Sequence, residues 1–434
     1  MSSQTAILRQ NRNFRLLFLG QAVSQLGDWF NSVAVFALLL DLTGSATAVA
    51  WMMIVQFLPM AIVGPIAGVV VDRVDRRRLM ITTDVLRGLL ILGLLLVRTQ
   101  DRVWLAYVVM ALTVTGSAFF EPARTATIPN VTSKDELIPA NALSSATWAA
   151  MLAIGASIGG LVTALFGRDF AFVINSVSFF VSAWFISRTT YDSTPAAKPP
   201  LAGWAAITGV SDLLEGLSYV RKHAHVSALM FVKAGWGLAG GVLLLLSIFG
   251  QRIFPVGGST AAGIGVLYGA RGIGAGLGPL ALRVLLGQSP TTMRRAIGPA
   301  YFIVGLFYVG LAAAGSLPMA ALCVLLAHFG GAILWVFSTV LLQMEVPDEF
   351  RGRVFAAELA LVTLTSSISS YLTGYALDGL GWSPRMLAFT LGAGFAVPGA
   401  LWLVMNARWK PAAHLETPDP VHTGEEEMLE GRIG

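Results

Sequence analysis

Apolar runs of membrane-crossing length, separated by short polar turns, occupy most of this chain, and that pattern leaves few folds open to it. A helix needs about 20 apolar residues to cross the hydrocarbon layer. Lipid offers no partner to an unpaired backbone group, so the runs predict a bundle of transmembrane helices. Twelve can be read: 14–40, 46–71, 79–98, 103–124, 137–166, 168–190, 226–251, 259–286, 295–315, 318–345, 352–380 and 384–408. The one long interruption, 191–225, holds Pro195, Pro199 and Pro200. An amphipathic stretch follows, with Ile207, Val210, Leu213, Leu214, Leu217 and Val220 on one face, as expected of a helix lying along the membrane surface. The expected organisation is therefore a six-helix bundle over 1–190, a cytoplasmic linker with an amphipathic helix over 191–225, a second six-helix bundle over 226–409 and a polar tail over 410–434.

Only 12% of the 434 residues are charged, about half the density of a soluble domain. The formal charge of +5 arises from arginines at the ends of apolar runs, where they act as orientation signals; nucleic acid is not an expected partner. With the N-terminus inside, 21 of the 29 Lys and Arg fall in cytoplasmic segments and five (Arg98, Arg102, Arg168, Arg252, Arg385) on the opposite side. Both termini are expected in the cytoplasm of a multi-pass inner-membrane protein. The first run, preceded by Arg9, Arg12 and Arg15, is too long for a cleaved signal peptide and reads as a retained helix.

The two halves echo each other. Gly64-Pro65 recurs as Gly278-Pro279, and Pro129 after the fourth run has a counterpart in Pro347 after the tenth. The offsets, 214 and 218 residues, agree closely, as duplicated halves would require. Halves of this kind place a substrate site between them, near the bilayer midplane.

Ionisable groups inside a membrane are costly, and their presence marks function. Asp28 lies halfway along the first run, on a small polar stripe with Gly20, Ser24, Gly27 and Asn31. Arg271, Lys233 and His328 lie in the eighth, seventh and tenth runs. Asp28 is the leading candidate for proton coupling, with Glu121 the second. Asp28, Trp29, Asn31, Gln56, Asn175, Lys233, Arg271 and His328 are the candidate cavity residues. The other reading of Asp28 is a static pair with Arg271 or another cation that holds the halves together. A second charged layer, Asp72, Arg76, Asp84, Arg87, Glu121, Arg124 and Glu358, is placed within about two helical turns of the inner boundary.

Several chemistries are excluded. No G-x-x-x-x-G-K-[ST] occurs, so no nucleotide is expected, and the glycines from Gly272 to Gly278 lie within a run, where they pack helices. Cys323 is the only cysteine, and the His223-x-His225 pair has no evident third ligand, so neither a metal nor another cofactor is expected. No catalytic constellation stands out, and an enzyme is not expected.

The knot Gly68-Val-Val-Val-Asp72-Arg73-Val-Asp75-Arg76-Arg77 between the second and third runs resembles the corresponding loop of major facilitator superfamily transporters. The segment Asn11 to Trp29 and the turn Pro347-Asp348-Glu349-Phe350-Arg351-Gly352-Arg353-Val354 resemble its drug and siderophore exporter branch, which includes macrolide efflux proteins and enterobactin exporters. The resemblance implies a conformational gate at Gly68, Asp72, Arg73, Arg76 and Arg77, with Asp72 against the start of the eleventh helix in the outward-facing state; Asp84, Arg87 and Glu358, ionisable groups at the same depth, are the further gate candidates. It also implies a monomeric secondary transporter exporting small amphiphilic compounds by proton antiport. Gly155, Gly159 and Gly160 match the glycines of the family's fifth-helix antiporter motif and are expected to pack helices, but Ala156 stands where that motif has proline. The fourth run lacks the usual Arg-x-x-x-Gly. Lipid flipping, or a receptor or scaffold that transports nothing, are the alternative functions.

Overall fold

The structure, a computed structural model, describes residues 3–71, 73–191, 210–285 and 289–408. It is all-helical but for one isolated bridge between Val256 and Ser259 among the described residues. A short helix α1 (Ser3–Gln10) precedes α2 (Arg12–Thr43), α3 (Ala46–Val71), α4 (Arg76–Ile91), α5 (Val103–Val131), α6 (Lys134–Phe166) and α7 (Arg168–Ser187). The linker contributes α8 (Val210–Lys222). The second half holds α9 (Ala224–Trp236), α10 (Ala239–Ile248), α11 (Thr260–Leu285), α12 (Pro290–Ala313), α13 (Leu317–Glu345), α14 (Asp348–Asp378), α15 (Pro384–Gly394) and α16 (Ala396–Ala407).

Eleven stretches among the described residues are long and apolar enough to cross a membrane. The helix α11, rich in glycine and carrying Arg271, occupies the place of the remaining expected span. The chain is thus a multi-pass helical membrane protein with a first and a second bundle joined by α8.

Two spans differ from the expected form. The seventh is broken at Gly237-Leu238 into α9 and α10, and continues as a π-helical turn over Phe249–Ile253. The fourth was expected to end near residue 124, but α5 runs through Pro122 and Pro129 to Val131. Neighbouring helices can satisfy the backbone groups that a membrane proline frees. Pro129 therefore lies inside a helix whereas Pro347 precedes one, and the two are not structural counterparts. The expected surface helix is seen as α8, whose Gly216 sits on the backbone of Arg353 in α14, while Glu215 pairs with Arg353 at 3.0 Å. Ile207 lies outside the described residues.

The helices alternate in direction, so Ser3 and Arg408 lie on one face of the bundle, here the terminal face. The opposite, distal face holds the short turns. At Gly44 the chain leaves α2 with φ +65°, a conformation only glycine adopts without strain, and its N–H closes the helix on Leu40 O at 2.9 Å.

The halves meet along α6 with α11 and along α3 with α14. Glycine makes the first contact possible: a side chain on Gly160 would strike Gly265, and one on Gly272 would strike Ala153. A Cβ added to Gly64 or Gly68 of α3, or to Gly352 of α14, would touch nothing.

Candidate functional site

The central charges form three separate clusters. In the first, Asp28 of α2 accepts from Arg87 of α4 at 3.2 Å, and Arg87 also donates to Asp84 one turn earlier at 3.1 Å. The guanidinium lies over the Phe179 ring, 4.0 Å from its centroid, with Phe120 at 5.6 Å. Asp84 is fully buried, whereas the Asp28 side chain is 40% exposed halfway along its helix. That exposure, so deep in the bundle, places Asp28 on the wall of an internal opening. Close packing of α2 on α7 holds the cluster, because Gly27 leaves room for Ser178 and Asn175.

The second cluster lies nearer the terminal face. Arg124 pairs with Glu121 at 2.9 Å and donates to Gln21 Oε1 at 2.9 Å. Gln21 donates in turn to Ser144 O at 3.4 Å, so α2, α5 and α6 are tied through one arginine.

The third cluster belongs to the second half. Lys233 of α9 donates to Glu358 of α14 at 2.7 Å, with both side chains buried. The ammonium lies 4.6 Å from the Trp335 ring centroid. Removing either partner alone would leave an uncompensated buried charge, so the pair makes the two helices depend on each other.

At the distal face the halves are clasped across sequence separations of more than 200 residues. Asp378, at the end of α14, accepts from Ser45 Oγ at 2.7 Å, Ala46 N at 3.2 Å and Thr47 N at 2.7 Å. It caps the N-terminus of α3 in the other half. Arg252 donates to Gly44 O at 2.6 Å, while Thr260 and Gln251 donate to Asp41 at 3.3 and 3.4 Å. A cleft of about 510 Å³ lies beside this clasp, lined by Asp41, Arg168 and Gly257 to Ala261.

The candidate residues divide accordingly. Asp28 pairs with Arg87, not with Arg271. Asp84, Arg87 and Glu358, read from sequence as gate residues near the boundary, fall into two pairings: the first two join Asp28 and the third joins Lys233. Arg76 donates to Ala126 O at 2.9 Å, and Arg77 to Ser187 O, so both bind α4 within its own half. Asp75 caps α4 through Arg78 N at 3.0 Å. Asp72 lies outside the described residues, so its contact with the eleventh helix is an expectation only. His328 is buried and bonded to Tyr308 at 2.8 Å, and Asn31 donates to Met110 Sδ at 3.2 Å. Asn175 is wholly buried, and Gln56 has a buried amide nitrogen without a partner. Gly155 and Gly159 lie against Trp29 and Phe30 of α2. Sequence reasoning missed Gln21, Phe179 and Asp378. Asp378 looks like an ordinary boundary acid, and nothing local marks it as a cap for a helix more than 300 residues earlier.

Two helical bundles, clasped across the distal face and carrying buried ion pairs inside, have the architecture of a membrane transporter. The sequence profile described as "Transmembrane secretion effector" matches residues 2–422, and the chain belongs to that family of major facilitator superfamily transporters. It is 27% identical over 361 residues to the putative bacilysin exporter BacE of Bacillus subtilis (strain 168), covering 82% of this chain and 87% of that one. It is 22% identical over 382 residues to macrolide efflux protein A of Streptococcus pyogenes, covering 85% and 90%. Among solved structures, the peptide transporter POT in complex with alafosfalin superposes with a TM-score of 0.74 at 13% identity, over 92% of this chain and 95% of that one; this likeness concerns the fold.

Proposed function

We propose that this protein exports small amphiphilic organic compounds across the cytoplasmic membrane by proton antiport. The bias of Lys and Arg favours a cytoplasmic terminal face, and the distal clasp then supports an inward-facing arrangement. The exporter names of two relatives support the direction of transport. One observation carries the coupling: a carboxylate open to the interior, Asp28, shares Arg87 with a second, closed carboxylate, Asp84. A proton taken by Asp28 breaks its ion pair and leaves Arg87 to Asp84, which frees α2 from α4. Glu121 is the second candidate, because it holds Arg124 in the same way nearer the cytoplasm. Substrate enters between the halves from the cytoplasmic side, and closure around it opens the distal clasp.

The test uses proteoliposomes under an imposed pH gradient, with a macrolide, bacilysin and lipophilic fluorescent dyes as probes. Movement of at least one probe rises with the gradient in the wild type, and Asp28→Asn removes that dependence. Movement indifferent to the gradient, with Asp28→Asn fully active, overturns the coupling. A second reading, lipid flipping, is favoured by one feature, an apolar cleft of about 280 Å³ between α3 and α14 lined by Trp51, Ile54, Ile368, Tyr371 and Leu372. A fluorescent lysophospholipid in the same vesicles distinguishes it.

A further inference from the structure

Arg271 is the exception among the cations set deep in the bundle. Arg87 holds Asp28 and Asp84, Arg124 holds Glu121, and Lys233 holds Glu358. Arg271 has no carboxylate and donates no hydrogen bond to any described residue. The groups nearest in chemistry are engaged elsewhere: Tyr268 Oη donates to Leu243 O at 3.0 Å, and Tyr308 is bonded to His328. What the guanidinium does meet is aromatic. Its carbon lies 5.8 Å from the Trp29 ring centroid and 5.6 Å from that of Tyr268.

These rings come from opposite halves, Trp29 from α2 and Tyr268 from α11, so Arg271 stands at the seam the transport cycle must open. The seam is firm on both sides. Gly269 and Gly272 seat α11 against Ser157 and Ala153 of α6, while Trp29 is backed by Gly155 and lies edge-on to Trp148 with centroids 6.4 Å apart. A guanidinium presents five N–H donors in a planar fork and cannot shed its charge. Aromatic faces attract the cation but accept no in-plane hydrogen bond. An organic anion with an aromatic or apolar body supplies both missing contacts, its carboxylate on the fork and its body against Trp29.

We propose that Arg271 is the docking site for the anionic group of the transported compound, which makes amphiphilic carboxylates the preferred substrate class. This rests on the export reading above. The site is then shared across the seam: when α2 moves away from α11 the bound compound keeps its carboxylate on Arg271 but loses the Trp29 contact with its body, which weakens the hold and suits release on the far side.

Purified full-length protein is titrated calorimetrically with three probes of one shape, 4-phenylbutyrate, 4-phenylbutyramide and 4-phenylbutylamine. The acid binds at least tenfold more tightly than the amide and the amine. Arg271→Gln removes that preference, and Arg271→Lys keeps part of it, with monodispersity and melting temperature checked for both. Equal affinities in the wild type, no binding of the acid, or a preference that survives Arg271→Gln overturns the proposal. The vesicle assay above uses none of these probes. Export there without acid preference sinks the Arg271 site alone, whereas an Arg271-dependent preference without export sinks the export reading and leaves an anion-binding site.

Discussion

Arg87 is the residue on which the first half turns. It compensates one carboxylate open to the interior and another with no exposure at all, and the two should respond differently to its loss. Removing one partner of a buried pair costs about 3–5 kcal/mol, chiefly because the other charge is left without compensation. Arg87→Gln should therefore lower the unfolding temperature in detergent. Adding Asp84→Asn should restore most of the loss, since the stranded charge goes with it. Adding Asp28→Asn should restore little, because interior water already reaches that carboxylate. A double-mutant cycle by thermal unfolding measures both couplings, and equal recovery by the two asparagines would contradict the arrangement. The sequence singled out Asp28, Asp84 and Arg87 because ionisable residues are rare in membrane helices. It could not pair them, because Asp28 and Arg87 are 59 residues apart and their meeting depends on how α2 and α4 are rotated about their axes.

At the scale of elements, the distal clasp rests on a helix end capped by the other half. Three hydrogen bonds from the start of α3 converge on Asp378. A side-chain cap contributes about 0.5–2 kcal/mol, and an acid near a helix N-terminus a further 0.3–1 kcal/mol. Because this cap joins the halves, its loss weakens the clasp rather than one helix. Asp378→Ala should shift the balance toward the state open at the distal face by roughly tenfold for each 1.4 kcal/mol lost. Spin labels at Asp101 and Gly315, exposed distal positions in the two halves, read the change in a Cys323→Ser background. A longer-distance population should appear in Asp378→Ala and be smaller in Asp378→Asn, which keeps an acceptor; an unchanged distribution would remove the cap from the clasp. Helix existence was legible in the apolar runs, and so was the close packing promised by Gly155, Gly159 and Gly160. The trans-half cap was not, because its partners come from opposite ends of the chain. The break in the seventh span was not legible either: Gly237 gives way against Thr365 of a distant helix, and only the packing shows it.

The whole molecule works only if the two faces cannot be open together, and the distal contact offers a way to hold one shut. A Cβ on Gly374 of α14 would stand 3.0 Å from the Thr47 Cα and 3.1 Å from the Ala50 Cβ of α3, so the backbones are close enough for a cross-link once α3 gives by a few tenths of an ångström. Both lie beside the Asp378 cap, and Cys323, the one native cysteine, is buried and far along the chain. The variant Thr47→Cys/Gly374→Cys should cross-link on mild oxidation, with Cys323→Ser removing any competing thiol. If the halves rock as rigid bodies about the central charges, the cross-linked protein is held open at the terminal face. Binding from that side should persist, while vectorial transport should fall to background and return on reduction. A clasp that is merely structural predicts the opposite, a cross-linked protein that transports as well as the reduced one. Binding and transport must be measured on the same oxidised sample. Loss of both would point to misfolding, and loss of transport alone ties the distal contact between α3 and α14 to the step in which the two halves exchange which face is closed.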